Sequence, residues 1–427
     1  TRYCCDRSDR RIVRKSRCRG TCSVIVVDDQ CGGTCCNRIV LRKKYFILRA
    51  KTVTGLIQLL AITGACAYAV MLIVCFAGFR TFRTGVLQET SRRSVAVIVA
   101  SRNEEENIRK LLDALDRQVA DQPFEVIIVD DASQDHTFLL AQKYRANNFR
   151  LTVLPCGGAG KKDALTTGIY NTDAEIILVT DADCTPDVNW VKIMSQQFND
   201  EACHFVGGTI RPEEGSGMVG NALATETIFL QMVSIGMFSF GNPMLCNGAS
   251  MAFRRKFFLD VGGFANDLFA SGDDIALLHK AKLYGRDCIR WVTEPGAMVV
   301  TRSADTYPEA IEQRNRWLSK MKAYSGTSHY LTGIVFLAMQ LLLPLTILWL
   351  LIFGVHDNPF LPALEIKIGV ELLLLSLAAS FFRGTSVILM FPLSVIAYCI
   401  ISIGAVIQLM NGDVKWKGRT WKYGKVR

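Results

Sequence analysis

Three acidic pairs and one Arg–Trp motif carry the chemistry that can be read in this chain. Asp130 and Asp131 lie in VDDAS, Asp181 and Asp183 in TDADC, Asp273 and Asp274 in SGDDIAL, and Arg316 and Trp317 close QRNRW. In an extended segment, residues two apart in sequence point the same way. Asp181 and Asp183 can therefore present two carboxylates to one hard divalent cation. Mg²⁺ or Mn²⁺ would suit, since each takes few protein oxygens and leaves room for phosphate oxygens. Asp183 is the stronger ligand candidate. An ionised Asp130 or Asp131 can accept hydrogen bonds from a base N–H or a ribose hydroxyl. Asp131 and Ser133 fit a turn and helix cap equally well. Asp273 and Asp274 stand at a helix start, where carboxylates also serve as caps and dipole partners. In QRNRW, Arg316 has a fork of fixed donors that suits phosphate, Gln313 both donates and accepts, and Trp317 offers a flat face for a sugar or for packing.

The elements that must position these groups follow from hydrophobic patterning. Strand-like runs cover residues 95–100, 124–129, 151–154 and 175–180, and helical spacing marks 103–115 and the segment through Leu139, Leu140 and Tyr144. Strand–helix alternation predicts a mainly parallel sheet covered by helices. Ligands in such sheets sit beyond the carboxyl ends of the strands, where VDDAS and TDADC both fall. Further on, 204–210 reads as a strand and 274–284 as a helix stopped by Gly285. Residues 218–240 read as an apolar helix, in the core or at a membrane surface.

Half of the 427 residues are hydrophobic, and the mean hydropathy is +0.23. The apolar residues are concentrated. Residues 52–79 hold a run near the roughly 20 residues that span a bilayer, and 330–410 hold two or three more. Ala363–Phe382, with Glu365, Lys367 and Glu371, is the weakest spanning candidate. The formal charge of +10 resides mostly in residues 1–50, which hold 13 Lys and Arg against 4 Asp. No nucleic-acid-binding module accompanies it, so no nucleic-acid partner is expected. Seven of the 15 cysteines fall in the same stretch, and Cys18, Cys22, Cys31 and Cys35 have a spacing compatible with zinc. The expectation is that residues 1–50 form a basic, Cys-rich extension, disordered or not native, and that 411–427 form a basic tail.

The order of these motifs resembles the family 2 glycosyltransferases, in particular their membrane-integrated branch, which includes ceramide-glucosyltransferase-like and polysaccharide-synthase-like enzymes. The resemblance covers roughly residues 94–320. It implies a GT-A α/β domain over 94–328, with transmembrane α-helices on both sides. It also implies transfer of a sugar from a nucleotide-sugar, by default a UDP-sugar, to a lipid or glycan acceptor at a membrane. Glu104, Asp130, Asp131, Lys161 and Asp181 would bind the nucleotide, with Lys161 in GAGKKDAL matching the family's Gly-Lys-x-x-Ala-Leu pattern and Lys162 the adjacent alternative. Asp274 would be the base beside Asp273, which replaces the family's usual Glu. Gln313, Arg316 and Trp317 would serve diphosphate or acceptor, as would Asn247 and Gly248 in the small-residue turn of CNGASMAFRR. The implied location is a bacterial inner membrane with the catalytic domain facing the cytoplasm. A processive polysaccharide synthase is the second expectation, and a catalytically silent glycan-assembly protein the third.

Overall fold

The structure, a computed structural model, describes residues 13–16, 24–27, 35–82, 93–213, 217–243, 245–265, 272–285, 287–304, 306–319, 327–382, 386–410, 413–416 and 419–422. Cys18, Cys22 and Cys31 lie outside these residues, as do residues 83–92. Two compact units are present, Thr1–Leu60 and Ala61–Arg427. In the first, β1 (Val13–Ser16) pairs antiparallel with β2 (Val24–Val27). A long helix, α1 (Cys35–Thr81), begins there, well before the apolar run at 52–79.

The α/β domain starts with strict alternation: β3 (Val95–Ser101), α2 (Ile108–Asp116), β4 (Phe124–Asp130), α3 (Thr137–Lys143), β5 (Phe149–Pro155), α4 (Lys161–Tyr170) and β6 (Ile176–Val179). After β6 come β7 (Cys184–Pro186), α5 (Trp190–Gln196), β8 (Phe205–Gly208), β9 (Ile210–Pro212) and α6 (Gly217–Ser239). Then follow β10 (Met251–Arg254), α7 (Arg255–Asp260), α8 (Asp273–Tyr284), β11 (Ile289–Val292), β12 (Val299–Thr301) and α9 (Tyr307–Ser319). The main sheet has the order β11-β8-β10-β6-β3-β4-β5. Only β10 runs against its neighbours, β6 and β8. A small sheet, β7-β12-β9, stands beside it.

Both faces of the main sheet are covered, which explains why its central strands are unbroken apolar runs. Val95, Val97 and Val99 of β3 pack with Leu111, Leu112 and Leu115 of α2 on one side. Ala96 and Ile98 alternate to the other side and meet Ala164, Leu165 and Ile169 of α4. Fully burying each Val, Leu or Ile among these stabilises the fold by about 1.5–3 kcal/mol. A Cβ on Gly168 of α4 would lie 2.5 Å from Ile98 Cγ2, so only glycine lets that helix approach so closely.

The last elements are α10 (Thr327–Gln340), α11 (Leu342–Phe353), α12 (Leu361–Ala379), α13 (Ser386–Met410) and a hairpin of β13 (Asp413–Trp416) with β14 (Arg419–Lys422). α1, α6, α10, α11, α12 and α13 share an apolar cluster that includes Tyr68, Leu72, Met232, Met339, Leu342, Leu375 and Phe391. α1 and α6 cross closely: a Cβ on Gly236 would lie 2.1 Å from the Cys75 carbonyl oxygen. Among the described residues, Lys51–Thr81, Val219–Ser239, Thr332–Phe353 and Ile388–Ile407 are long and apolar enough to cross a membrane, by length and composition only. α12 is not among them. Its two buried charges, Lys367 and Glu371, pair with each other at 2.7 Å and are 2 % and 7 % exposed.

Three expected elements differ. The helix expected from residue 103 starts at Ile108, because 104–107 form a turn in which Glu104 O accepts from the amides of Asn107 and Ile108. The strand expected over 204–210 is two strands, β8 and β9, in different sheets. At the break, the Thr209 amide and hydroxyl donate to Val292 O. The segment read as a small-residue turn is a turn only as far as Ser250. Met251–Arg254 is the antiparallel strand β10.

Candidate active site

The acidic motifs meet at one edge of the main sheet. β3, β4, β5, β6 and β8 end there, and β10 begins there, since Met251 pairs with Val179 and Gly207. Lys161, the first residue of α4, lies at the centre. Its Nζ is 2.6 Å from Asp181 Oδ1 and 3.3 Å from Asp273 Oδ2. Burial alone would lower this lysine's pKa. The neighbouring charges of Asp181 and Asp273, with Asp274 contributing less, overrule it and hold the ammonium well above its ordinary value. Gly248 leaves the space this pair needs, since a Cβ there would lie 2.9 Å from Lys161 Nζ and 3.0 Å from Asp273 Oδ2.

Asp274 is buried at the N-terminus of α8, one residue after Asp273. The Gly248 amide donates to its Oδ2 at 3.2 Å, and the Ile275 amide to its Oδ1 at 2.8 Å. These two bonds orient the Asp274 carboxylate. The turn that supplies Gly248 closes on itself. Asn247 Oδ1 accepts from the Ala249 amide at 2.9 Å, and Asn247 O from the Ser250 amide at 3.0 Å.

At the ends of β3 and β4, two loops are stitched together. Asn103 and Ala132 both adopt left-handed backbone, φ 52° and 54°. Such conformations are uncommon for non-glycine residues and persist where surrounding bonds enforce them. Here the Asn103 amide donates to Ser133 Oγ, the Gln134 amide to Asn103 Oδ1, and the Glu104 amide to Thr137 Oγ1. Asp130 accepts from the Ser133 amide and hydroxyl at 3.0 and 2.5 Å, so it serves as the turn partner. Asp131 Oδ1 accepts from the Gly160 amide at 3.0 Å, which ties this corner to the start of α4. Glu104 Oε2 accepts from Asn107 Nδ2. Arg102, which the sequence did not single out, donates to the carbonyls of Asp131 and Ala132. Its only signal was its place between a buried strand and the acid of SRNE.

The D-x-D residues diverge in environment. Asp181 is engaged by Lys161, whereas Asp183 is exposed. Ligand atoms of Asp181, Asp183 and Cys184 lie within 4.8 Å of one another. Cys184 suits a hard cation poorly. Burial, then the charges of Asp183 and Asp181, push its thiol well above the ordinary range, and its Sγ lies 3.6 Å from Asp183 Oδ1. The two carboxylates therefore fit Mg²⁺ or Mn²⁺ with room for other oxygens. On α9, burial lowers the Arg316 pKa, against the pull of Glu312, Glu309, Asp183 and Asp181. Arg316 thus feels both D-x-D carboxylates. Gln313 Oε1 accepts from Arg314 Nη1 at 3.3 Å. The side chain of Trp317 lies outside the described residues.

The structure therefore joins Lys161, Asp181, Asp273, Gly248 and Asp274 into one contact network, with Asp183 and Arg316 beside it. Asp130, Asp131 and Glu104 line the adjoining strand ends.

Residues 96–262 match the family described as Glycosyl transferase family 2. The chain is similar to glycosyltransferase AglE of Haloferax volcanii, 29 % identical over 42 % of this chain and 58 % of that protein. It is also similar to the probable glycosyltransferase YdaM of Bacillus subtilis, 27 % identical over 52 % of this chain and 54 % of that one. A third relative is the poly-beta-1,6-N-acetyl-D-glucosamine synthase of Staphylococcus aureus, 27 % identical over 52 % and 53 %. The chain spans little more than half the length of these relatives. Among solved structures, the mannosyltransferase PcManGT from Pyrobaculum calidifontis, in complex with GDP-Man and Mn²⁺, matches with a TM-score of 0.52. That match is 18 % identical and covers 83 % of this chain and 99 % of that one, a likeness of fold. With its mixed, mostly parallel sheet and the acidic motifs at the sheet's edge, the chain carries a family 2 glycosyl transferase domain of GT-A fold.

Proposed function

We propose that the chain is an inverting glycosyltransferase that moves a sugar from a nucleotide-sugar to a hydroxyl of a lipid or lipid-linked acceptor at a membrane. The observation that carries this reading is the convergence of Asp181, Lys161, Asp273 and Asp274 at one sheet edge, held together by the contacts of Lys161 and Gly248.

In this reading Asp131, Asp130 and Glu104 form the nucleoside end of the site. Asp183, with Asp181, would hold Mg²⁺ or Mn²⁺, which would supply Lewis-acid charge for the departing diphosphate. Lys161 fixes the positions of Asp181 and Asp273, and Arg316 offers further donors on the phosphate side. Asp274 accepts the proton of the acceptor hydroxyl as that oxygen attacks the anomeric carbon. A single displacement needs no second carboxylate nucleophile. Asn247 and Gly248 shape the acceptor side through the turn that orients Asp274. The catalytic domain faces the cytoplasm, and the apolar helices hold it at the bilayer.

A second reading, a processive polysaccharide synthase, is favoured by the similarity to the S. aureus synthase. Product size separates the two. Purified protein with labelled nucleotide-sugar and membrane lipid should yield a lipid-soluble product carrying one added sugar. A long water-soluble polymer would establish the synthase reading instead.

A further inference from the structure

The turn that orients Asp274 stands on Ser250, and Ser250 is held by the indole of Trp190. Ser250 is fully buried. Its amide donates to Asn247 O at 3.0 Å and closes the turn, and its carbonyl accepts from the Gly208 amide of β8 at 2.8 Å. Its hydroxyl accepts from Trp190 Nε1 at 3.0 Å. That hydroxyl occupies a space that glycine leaves open, since a Cβ on Gly208 would lie 2.0 Å from Ser250 Oγ.

Trp190 opens α5, on the segment that starts with the D-x-D carboxylates. Its side chain is fully buried in one apolar cluster with Val206, Ala249 and Ala252. The D-x-D arm is also anchored without the indole. β7 pairs with β12, the Asp187 amide donates to Met298 O at 2.8 Å, and the Asn189 amide donates to Gly296 O at 3.0 Å. On the other side, strand pairing starts only at Met251, after the turn. Loss of the indole bond therefore shifts the turn before it shifts the D-x-D arm.

A chain of contacts thus runs from Trp190 through Ser250 and the turn to the Gly248 amide and Asp274 Oδ2. It crosses the site from the D-x-D arm to the buried acid of α8.

We propose that Trp190 and Ser250 are positioning residues for Asp274: the indole–hydroxyl bond sets where that carboxylate stands relative to the D-x-D arm. The inference rests on the reading of Asp274 as the base of the transfer.

The test uses the full-length protein in nanodiscs of total lipid extract. Transfer from a labelled UDP-sugar, UDP affinity by calorimetry and amide hydrogen exchange are measured on the same preparations. Ser250→Ala should lower turnover by about tenfold to 10²-fold, the scale of a misplacement near 1 Å. UDP affinity should stay unchanged, and exchange in residues 246–250 should quicken. In an Asp274→Asn background the same change should reduce transfer by no more than about twofold further, because groups that act as one unit are not additive.

Ser250→Ala leaves the indole N–H buried without its acceptor, which destabilises. Trp190→Phe/Ser250→Ala removes both polar groups and leaves neither unsatisfied. Its turnover should stay as low as that of Ser250→Ala even where its melting temperature recovers. Turnover that recovers together with stability would show the bond to be structural only. Wild-type turnover in folded Ser250→Ala, an undiminished loss in the Asp274→Asn background, or an equal loss of UDP affinity would each overturn the proposal and leave the base assignment standing. Near-normal transfer by Asp274→Asn would overturn that assignment and the proposal with it.

Discussion

The backbone amide of Gly248 donates to Asp274 Oδ2 at 3.2 Å, joining the turn before β10 to the first turn of α8. Residues 26 positions apart are thereby fixed as one unit. α6 leads into the Gly248 turn and packs against α1, α12 and α13. The geometry of Asp274 is thus tied to the helix bundle as well as to the sheet.

Gly248→Ala tests that unit without removing a titratable group. The added methyl would press on Lys161 Nζ and Asp273 Oδ2 at 2.9–3.0 Å. Lys161 is flexible at its far end, so the fold should tolerate the change while the acids shift. Turnover should fall by up to about 10²-fold, the cost of a misplacement near 1 Å, with little change in melting temperature. Unchanged turnover would show that the close packing around Gly248 is not catalytically relevant.

Lys161→Met removes the cation shared by Asp181 and Asp273. Breaking a buried pair by deleting one partner costs about 3–5 kcal/mol. Asp181 is a third exposed, so solvent screening should bring the loss to about 2 kcal/mol. Denaturant unfolding in detergent would measure it, and nucleoside diphosphate affinity should fall in the same variant.

The metal expectation rests on Asp183 more than on Asp181, which Lys161 already engages. Transfer should cease in excess EDTA and return with Mn²⁺ or Mg²⁺. Asp183→Asn should raise the metal concentration for half-maximal activity by about tenfold or more, since even supporting groups around a metal contribute on that scale. Full activity in EDTA would remove the metal from the account.

Gly236→Ala probes the α1–α6 crossing, away from the chemistry. Its Cβ would lie 2.1 Å from the Cys75 carbonyl oxygen, a backbone atom that cannot move aside alone. Overpacking of this kind costs about 1–3 kcal/mol. A lower melting temperature of the purified protein is expected, and an unchanged one would mean that the two helices do not cross there.

Much of this site could be read from the sequence because β3, β4 and β6 are buried on both faces, so their apolar runs mark strand ends sharply. Asp130 ends β4, and Asp131, Asp181 and Asp183 fall just beyond the ends of β4 and β6, where a parallel sheet places its ligands. The match of Lys161 to a known pattern singled out a residue that the fold brings to Asp181, but its contact with Asp273 joins residues 112 positions apart and has no local signal. β10 escaped notice because MAFR is only four residues long and follows a small-residue turn. β8 and β9 were merged because nothing in TI marks a change of sheet. Nothing local in the sequence singles out Glu226 or Arg314. Only the packing of α6 against α9 and α13 reveals that they are buried together.

The central claim is that Asp274 is the base of a nucleotide-sugar-dependent transfer. Its most direct test compares wild type with Asp274→Asn, measuring sugar transfer from labelled nucleotide-sugar and nucleotide binding by calorimetry on the same preparations. The account predicts transfer reduced by about 10²-fold or more, with nucleotide affinity nearly unchanged. Near-normal transfer by the folded variant would contradict it.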